Sequence, residues 1–304
     1  MRVESGLVDN QKGQKEKEIC ELKSERSDSD GGDKGSRKSN RRRDKKPLMA
    51  AATKTAAMEA SVIQMLYNTC RKVFARGGAG FIPSSKEVQR LQLVLDSMTP
   101  NDVGLTPEMP YFMAPENGGV PPITYLHLYE CKKFSIGIFC LPPSGVIPLH
   151  NHPRMTVFSK ILFGSMHIKS YDWETGAKND ANSENLDQLN AQPPGTRLAK
   201  INTDTVFTAP CKTSILYPAS GGNMHCFTAV TSCAVLDVLG PPYSDREGRH
   251  CTYYKEFPYC SAPSSSSELT SEGRREEYAW LEEVPPENLV VVGAQYGGPK
   301  IVVK

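Results

Sequence analysis

No stretch of the sequence approaches the roughly 18 consecutive apolar residues that a membrane-spanning helix needs, so no transmembrane segment and no membrane partner are expected. The opening residues, Met1-Arg-Val-Glu-Ser-Gly6, lack the apolar stretch of a secretory leader. No C-x-x-C pair occurs among the nine cysteines, which run from Cys20 to Cys260. An odd, scattered set is neither a disulfide framework nor a zinc-finger spacing, and it suits a reducing compartment. Excess charge of one sign is also missing: 36 Lys and Arg stand against 34 Asp and Glu, a formal net charge of +2. No global field draws the chain to nucleic acid, and none is expected as a direct partner. Hydrophobic residues make up only 38% of the 304 positions, which is low for a chain packed from end to end. Part of it is therefore expected to stay unfolded.

That part is the N-terminus, residues 1–54. Met1 to Lys46 is dense in Lys, Glu, Asp, Ser and Gly, with 14 basic and 10 acidic residues and almost no aliphatic periodicity. Such a segment cannot bury enough apolar surface to offset the entropy of ordering it. Its basic residues cluster in Arg37-Lys-Ser-Asn-Arg-Arg-Arg-Asp-Lys-Lys46. The cluster reads as a nuclear-import address, placing the protein in nucleus and cytoplasm, as a weak nucleic-acid contact, or as a solvated basic tail.

Residues 55–304 read as one folded domain, with a helical part at 55–100 and an all-β core at 101–304. Thr55–Arg76 carries Val62, Met65, Leu66, Cys70, Val73 and Phe74 at helical spacing and ends at Gly77-Gly78. A second helix starts after Pro83, where Ser84 and Glu87 have the form of a capping box. Val88, Leu91, Leu95 and Met98 form its apolar face, and Thr99-Pro100 stops it. From about Asn101 the period changes to two. Strands are expected at 123–129, 134–140, 157–163, 165–171, 213–217, 225–230, 234–239 and 251–254, with a last one in the tail at 288–293 or 300–303. Thr175–Lys200 and Ala262–Arg275 read as polar insertions. Many short strands with little helix between them indicate a sandwich or barrel.

The stretch Leu141-Pro-Pro-Ser-Gly-Val-Ile-Pro-Leu-His150-Asn-His152-Pro-Arg is the chemical centre. In an extended strand, residues two apart face the same side. His150 and His152 can therefore grip one cation between them. A third imidazole, His225, follows Tyr217-Pro-Ala-Ser-Gly-Gly-Asn-Met at the mouth of another strand. Two histidine-bearing turns about 75 residues apart suggest the double-stranded jelly roll of a cupin. Three imidazoles leave coordination positions open on a divalent cation, and both iron and zinc accept such a set.

Gly145-x4-His150-x-His152, followed by Gly164, resembles the first cupin motif without the metal-binding Glu that normally follows the second His; Met155, Thr156 and Val157 stand there instead. With Pro148-Leu-His-Asn-His-Pro-Arg-Met-Thr156, Val238-Leu-Gly-Pro-Pro-Tyr243 and Cys251-Thr-Tyr-Tyr254, the chain is similar to the plant cysteine oxidases, relatives of the animal 2-aminoethanethiol dioxygenase. The likeness covers roughly 55–260 and the C-terminal strand. It implies a monomeric, Fe(II)-dependent cupin that adds both atoms of O2 to the N-terminal cysteine of a protein. The product is the sulfinic acid. Implied substrates are transcription factors such as the group VII ethylene response factors, whose turnover through an N-degron would report oxygen supply.

The resemblance also implies ligand roles for His150, His152 and His225, and a functional Asp237. By residue alone, Asp237 interrupts the apolar run Ala234-Val-Leu-Asp-Val-Leu239 and shares a face with Val235 and Leu239. It belongs either in the cavity, meeting a substrate ammonium or holding a proton, or on a solvated outer face. Tyr243, after the stiff Pro241-Pro242, is expected near the site mouth or as a packed tyrosine. Cys251 and Tyr253 match positions that form a thioether in the animal relative; Cys251 is otherwise a buried thiol. His127, His167 and His250 read as structural, with His167 the reserve ligand. Two other functions remain: a cupin dioxygenase acting on a small thiol such as cysteamine or free cysteine, and a non-catalytic metal-binding cupin.

Overall fold

The computed structural model describes residues 61–174, 193–259 and 277–303. The expected unfolded segment, the first residues of the first helix, most of the first polar insertion and the whole of the second lie outside them.

Helix α1 (Val62–Val73) is capped by Ser61, whose side chain accepts from the Gln64 N–H, and it buries Ile63, Leu66, Tyr67, Cys70 and Val73. This stripe follows the helical period, but it is rotated from the expected one. Met65 is 43% exposed, because Ile63 and Tyr67 complete the inward face instead. Helix α2 (Ser85–Ser97) has the expected capping box: Glu87 Oε2 accepts from Ser84 N at 2.8 Å and from Ser84 Oγ at 2.6 Å. Leu91 and Leu95 are its buried residues.

The strands follow as β1 (Ile123–Glu130), β2 (Ser135–Leu141), β3 (Val146–Asn151), β4 (Thr156–Phe163), β5 (Ser165–Trp173) and β6 (Thr196–Thr208). Then come β7 (Ser214–Leu216), β8 (Met224–Ala229), β9 (Cys233–Gly240), β10 (Tyr253–Pro258), β11 (Tyr278–Val284) and β12 (Val291–Ala294). One sheet runs β12-β1-β2-β9-β4-β7, and the other six strands close in the order β10-β11-β6-β5-β8-β3. This is the cupin jelly roll that the histidine turns indicated.

Two strands escape the sequence pattern. β6 begins within the stretch read as loop, and its residues are mostly exposed along its length, so it lacks the alternation that marks a half-buried strand. β11 is placed by long-range pairing with β6 and β10. At the C-terminus β12 pairs in parallel with β1, while residues 301–303 form no strand.

The pleat of β9 divides the molecule. Ala234, Leu236 and Val238 point outward into a core shared with α1 and α2, together with Ile136, Ile138 and Phe158. Cys233 and Val235 point inward, into the core lined by Ile147, Ile168 and Phe227. Burial on both faces makes the strand almost wholly apolar. Period two then puts Asp237 on the inward face.

Candidate metal centre

β3 carries His150 directly opposite His225 of β8. The pairing slips between Ile147 and His150, a β-bulge that re-aims the end of the strand. His152 lies one residue past the strand, so the two ligands do not share a regular strand face as the i, i+2 spacing suggested. The bulge and the following turn bring the rings together nonetheless. The ring centroids of His150 lie 5.0 Å from His152 and 4.8 Å from His225, and those of His152 and His225 are 4.8 Å apart. One ligand atom from each of the three falls within 4.8 Å of the others, and all three side chains are buried.

Their outer partners select the tautomers. His150 Nδ1 lies 2.8 Å from the Pro148 carbonyl, which only accepts, so Nδ1 carries the proton and Nε2 keeps its lone pair. The single hydroxyl proton of Tyr243 goes to the Asn151 carbonyl at 2.8 Å. That hydroxyl therefore accepts from His152 Nδ1–H at 2.9 Å. His152 Nε2 is left bare, 3.3 Å from His225 Nε2. Phe227 stacks on the His225 ring at 4.3 Å. Three imidazole nitrogens within 4.8 Å of one another fit a metal cation, and the hydrogen bonds behind His150 and His152 are the usual means of orienting such ligands. Burial lowers the pKa of His150 to about 4. It holds His152 and His225 well below their ordinary value, with repulsion among the rings acting in the same direction. All three are thus neutral near pH 7, the ligating form.

Asp237 completes the cavity beside the imidazoles, with Phe139, Ile147, Leu239 and Tyr243 as further walls. The inward reading of its face is correct: it is 4% exposed. Oδ1 is buried without a hydrogen-bond partner among the described residues. Burial raises its pKa to about 7, while a hydrogen bond from Ser159 opposes the shift. Its cross-strand neighbour on β2 is Gly137, where a Cβ would lie 2.5 Å from the Tyr125 ring. The glycine makes room for that ring next to the carboxylate. Nothing in the sequence pattern marked Tyr125 or Ser159.

Tyr243 is not free at the mouth: its hydroxyl is committed to His152 and Asn151. Tyr253 pairs with His150 across β10 and β3, its ring 6.0 Å from that imidazole. The Cys251 thiol interacts with both the Tyr243 and Tyr253 hydroxyls, so the proposed crosslink partners are neighbours. His167 is excluded from the ligand set. It is partly exposed on β5, with Nε2 2.7 Å from Asp204 Oδ1. His127 and His250 are exposed.

A family model described as PCO_ADO matches residues 94–301. Plant cysteine oxidase 1 of Arabidopsis thaliana is 57% identical over 250 residues, 79% of this chain and 80% of the relative. Plant cysteine oxidase 2 of the same plant is 53% identical over 268 residues, 88% of each chain. The 2-aminoethanethiol dioxygenase of Mus musculus is 30% identical over 257 residues, 80% of this chain and 97% of that protein.

Proposed function

The chain belongs to the PCO_ADO family of cysteine thiol dioxygenases, and from that premise we propose that it is an Fe(II) enzyme converting the N-terminal cysteine of proteins to the sulfinic acid. The observation that carries the reading is the convergence of three buried, neutral imidazoles beside a buried carboxylate with an unpartnered oxygen. His150, His152 and His225 would hold the metal, His150 and His152 through the Nε2 that their Nδ1 contacts leave free. Zinc would fit the donors, but it has no redox chemistry, and oxidation of a thiol by O2 requires a redox-active ion. Fe(II) held there would supply the redox chemistry that the reaction of O2 with the cysteine sulfur needs.

The chain's own residues account for the rest. The ligand set brings no negative charge, so a cation held there would keep its full field toward an incoming thiol and favour the thiolate. Asp237 faces the same cavity, where its carboxylate meets the substrate α-ammonium or takes a proton from it. A charged amine opposite would offset the burial that otherwise keeps this carboxyl near neutrality. The apolar walls of Phe139, Ile147 and Leu239 limit water beside the sulfur. An N-terminal cysteine offers thiol and ammonium on adjacent carbons and matches both features. Substrates of this kind are transcription factors whose stability then follows oxygen.

The test is anaerobic loading with Fe(II), followed by air and a peptide that begins with Cys, with the product weighed. The expected gain is two oxygen atoms, with little on the same peptide acetylated at its N-terminus. Oxidation of cysteamine or free cysteine alone would favour the small-thiol reading, and no oxidation of any thiol would favour a binding protein. Ala at His150, His152 or His225 should remove most of the iron and all turnover while leaving the apolar core folded. Full iron occupancy in His225→Ala would overturn the ligand assignment.

A further inference from the structure

His152 is the one candidate ligand outside a strand, so something other than a sheet ladder must hold its backbone. The holder is Asn223. Its Oδ1 accepts from His152 N at 3.2 Å, and its Nδ2 donates to His152 O at 3.0 Å and to Tyr217 O at 2.7 Å. These bonds grip both main-chain groups of His152 with a single buried amide. A carboxylate there would lose the two donations and face two carbonyls.

Asn223 is itself held from behind. Asp172, near the end of β5, accepts from Asn223 N at 3.0 Å and from Gly222 N at 3.0 Å, and its Oδ2 takes Asn202 Nδ2 at 3.1 Å. The turn depends on glycine: Gly221 and Gly222 have φ of +81° and +79°, and a Cβ on Gly222 would lie 2.4 Å from Ser170 Oγ. His225 follows two residues after Asn223. One clamp therefore sets the His152 backbone against the root of β8, fixing the distance between these two imidazoles.

We propose that Asp172 and Asn223 are positioning residues for the metal: Asp172 orders the Gly221–Asn223 turn, and Asn223 holds His152 at the separation from His225 that one cation requires. This rests on the three-histidine metal reading and extends it to residues that touch neither metal nor substrate. The consequence is metal retention, not fold. Loss of such outer support typically weakens metal affinity about 10–100-fold.

The experiment measures Fe(II) affinity by anaerobic chelator competition, and the Co(II) absorption spectrum as a report of ligand geometry. The full chain is used, and Asp204→Ala on neighbouring β6 serves as the control. Asn223→Ala and Asp172→Ala should bind Fe(II) about 10–100-fold more weakly and show altered Co(II) bands, with the control unchanged. Asp172→Asn keeps an acceptor for the two N–H groups and should recover most of the affinity. Wild-type affinity and spectrum in Asn223→Ala would overturn the proposal. So would an Asp172→Asn variant no better than Asp172→Ala, which decides the matter should Asn223→Ala fail to fold. A wild-type protein that takes up neither Fe(II) nor Co(II) would instead reject the metal reading on which the proposal stands.

Discussion

Asp237 opposes stability near neutral pH, where its buried carboxyl would otherwise ionise. Its carboxyl is buried and its pKa is raised to about 7. An unfolded Asp titrates near 4, so between about pH 4 and 7 the folded protein holds a proton that the unfolded chain has lost. Stability contributed by the neutral carboxyl is present below pH 4 and is lost as pH rises toward 7. Asp237→Asn removes that dependence. The metal-free variant should melt higher than wild type at pH 8, with the gap closing by about pH 4. Turnover on a Cys-initiated peptide should fall by about 10²-fold or more, the usual scale for a positioned acid–base group, with iron still bound. Near-normal turnover would remove Asp237 from the mechanism, and loss of iron along with activity would make it a support of the ligand set.

At the scale of elements, the helical hairpin is tied to the sheet by a polar anchor as well as by its apolar stripe. Asp96 on α2 accepts from Thr213 N at 2.8 Å and from Thr213 Oγ1 at 2.7 Å, just before β7. The buried Lys160 of β4 lies 4.0 Å from the same oxygen and donates to the Cys211 carbonyl at 2.5 Å. Removing the carboxylate leaves Thr213 without its acceptor and a buried ammonium without its counter-charge. Asp96→Ala is expected to lower the unfolding free energy by roughly 1–3 kcal/mol, read as an earlier urea midpoint, with iron affinity unchanged. An unshifted midpoint would show that the apolar stripe alone holds the hairpin.

At the scale of the molecule, the family match starts at residue 94, far beyond the basic cluster. We propose that the cluster from Arg37 to Lys46 is an address for the nucleus and has no part in catalysis. A chain lacking residues 1–46 should oxidise the peptide at the full-length rate and accumulate less in nuclei, as imaging of a fluorescent fusion would show. Unchanged distribution would mean a solvated tail, and a large loss of turnover would assign the segment a role in the enzyme.

The sequence by itself determined the strand-rich core, the Ser84–Glu87 helix start and the identity of the three imidazoles. Each is a local matter of period, cap or residue type. It also put Asp237 on the same strand face as Val235 and Leu239, but that this face lines the cavity was decided by the structure. What only the tertiary structure decided were relations across long separations. The exposed strand β6 is recognisable only by the β5 and β11 that flank it. The Met65 position was set by the sheet against which α1 packs. The hydroxyl of Tyr243 turned out to belong to His152. The hold of Asn223 on His152 bridges 71 positions of chain, and no periodicity carries such a contact. Hydrogen bonds of that kind exist only after both sheets have closed, which is why the ligands could be named from the chain but their support could not.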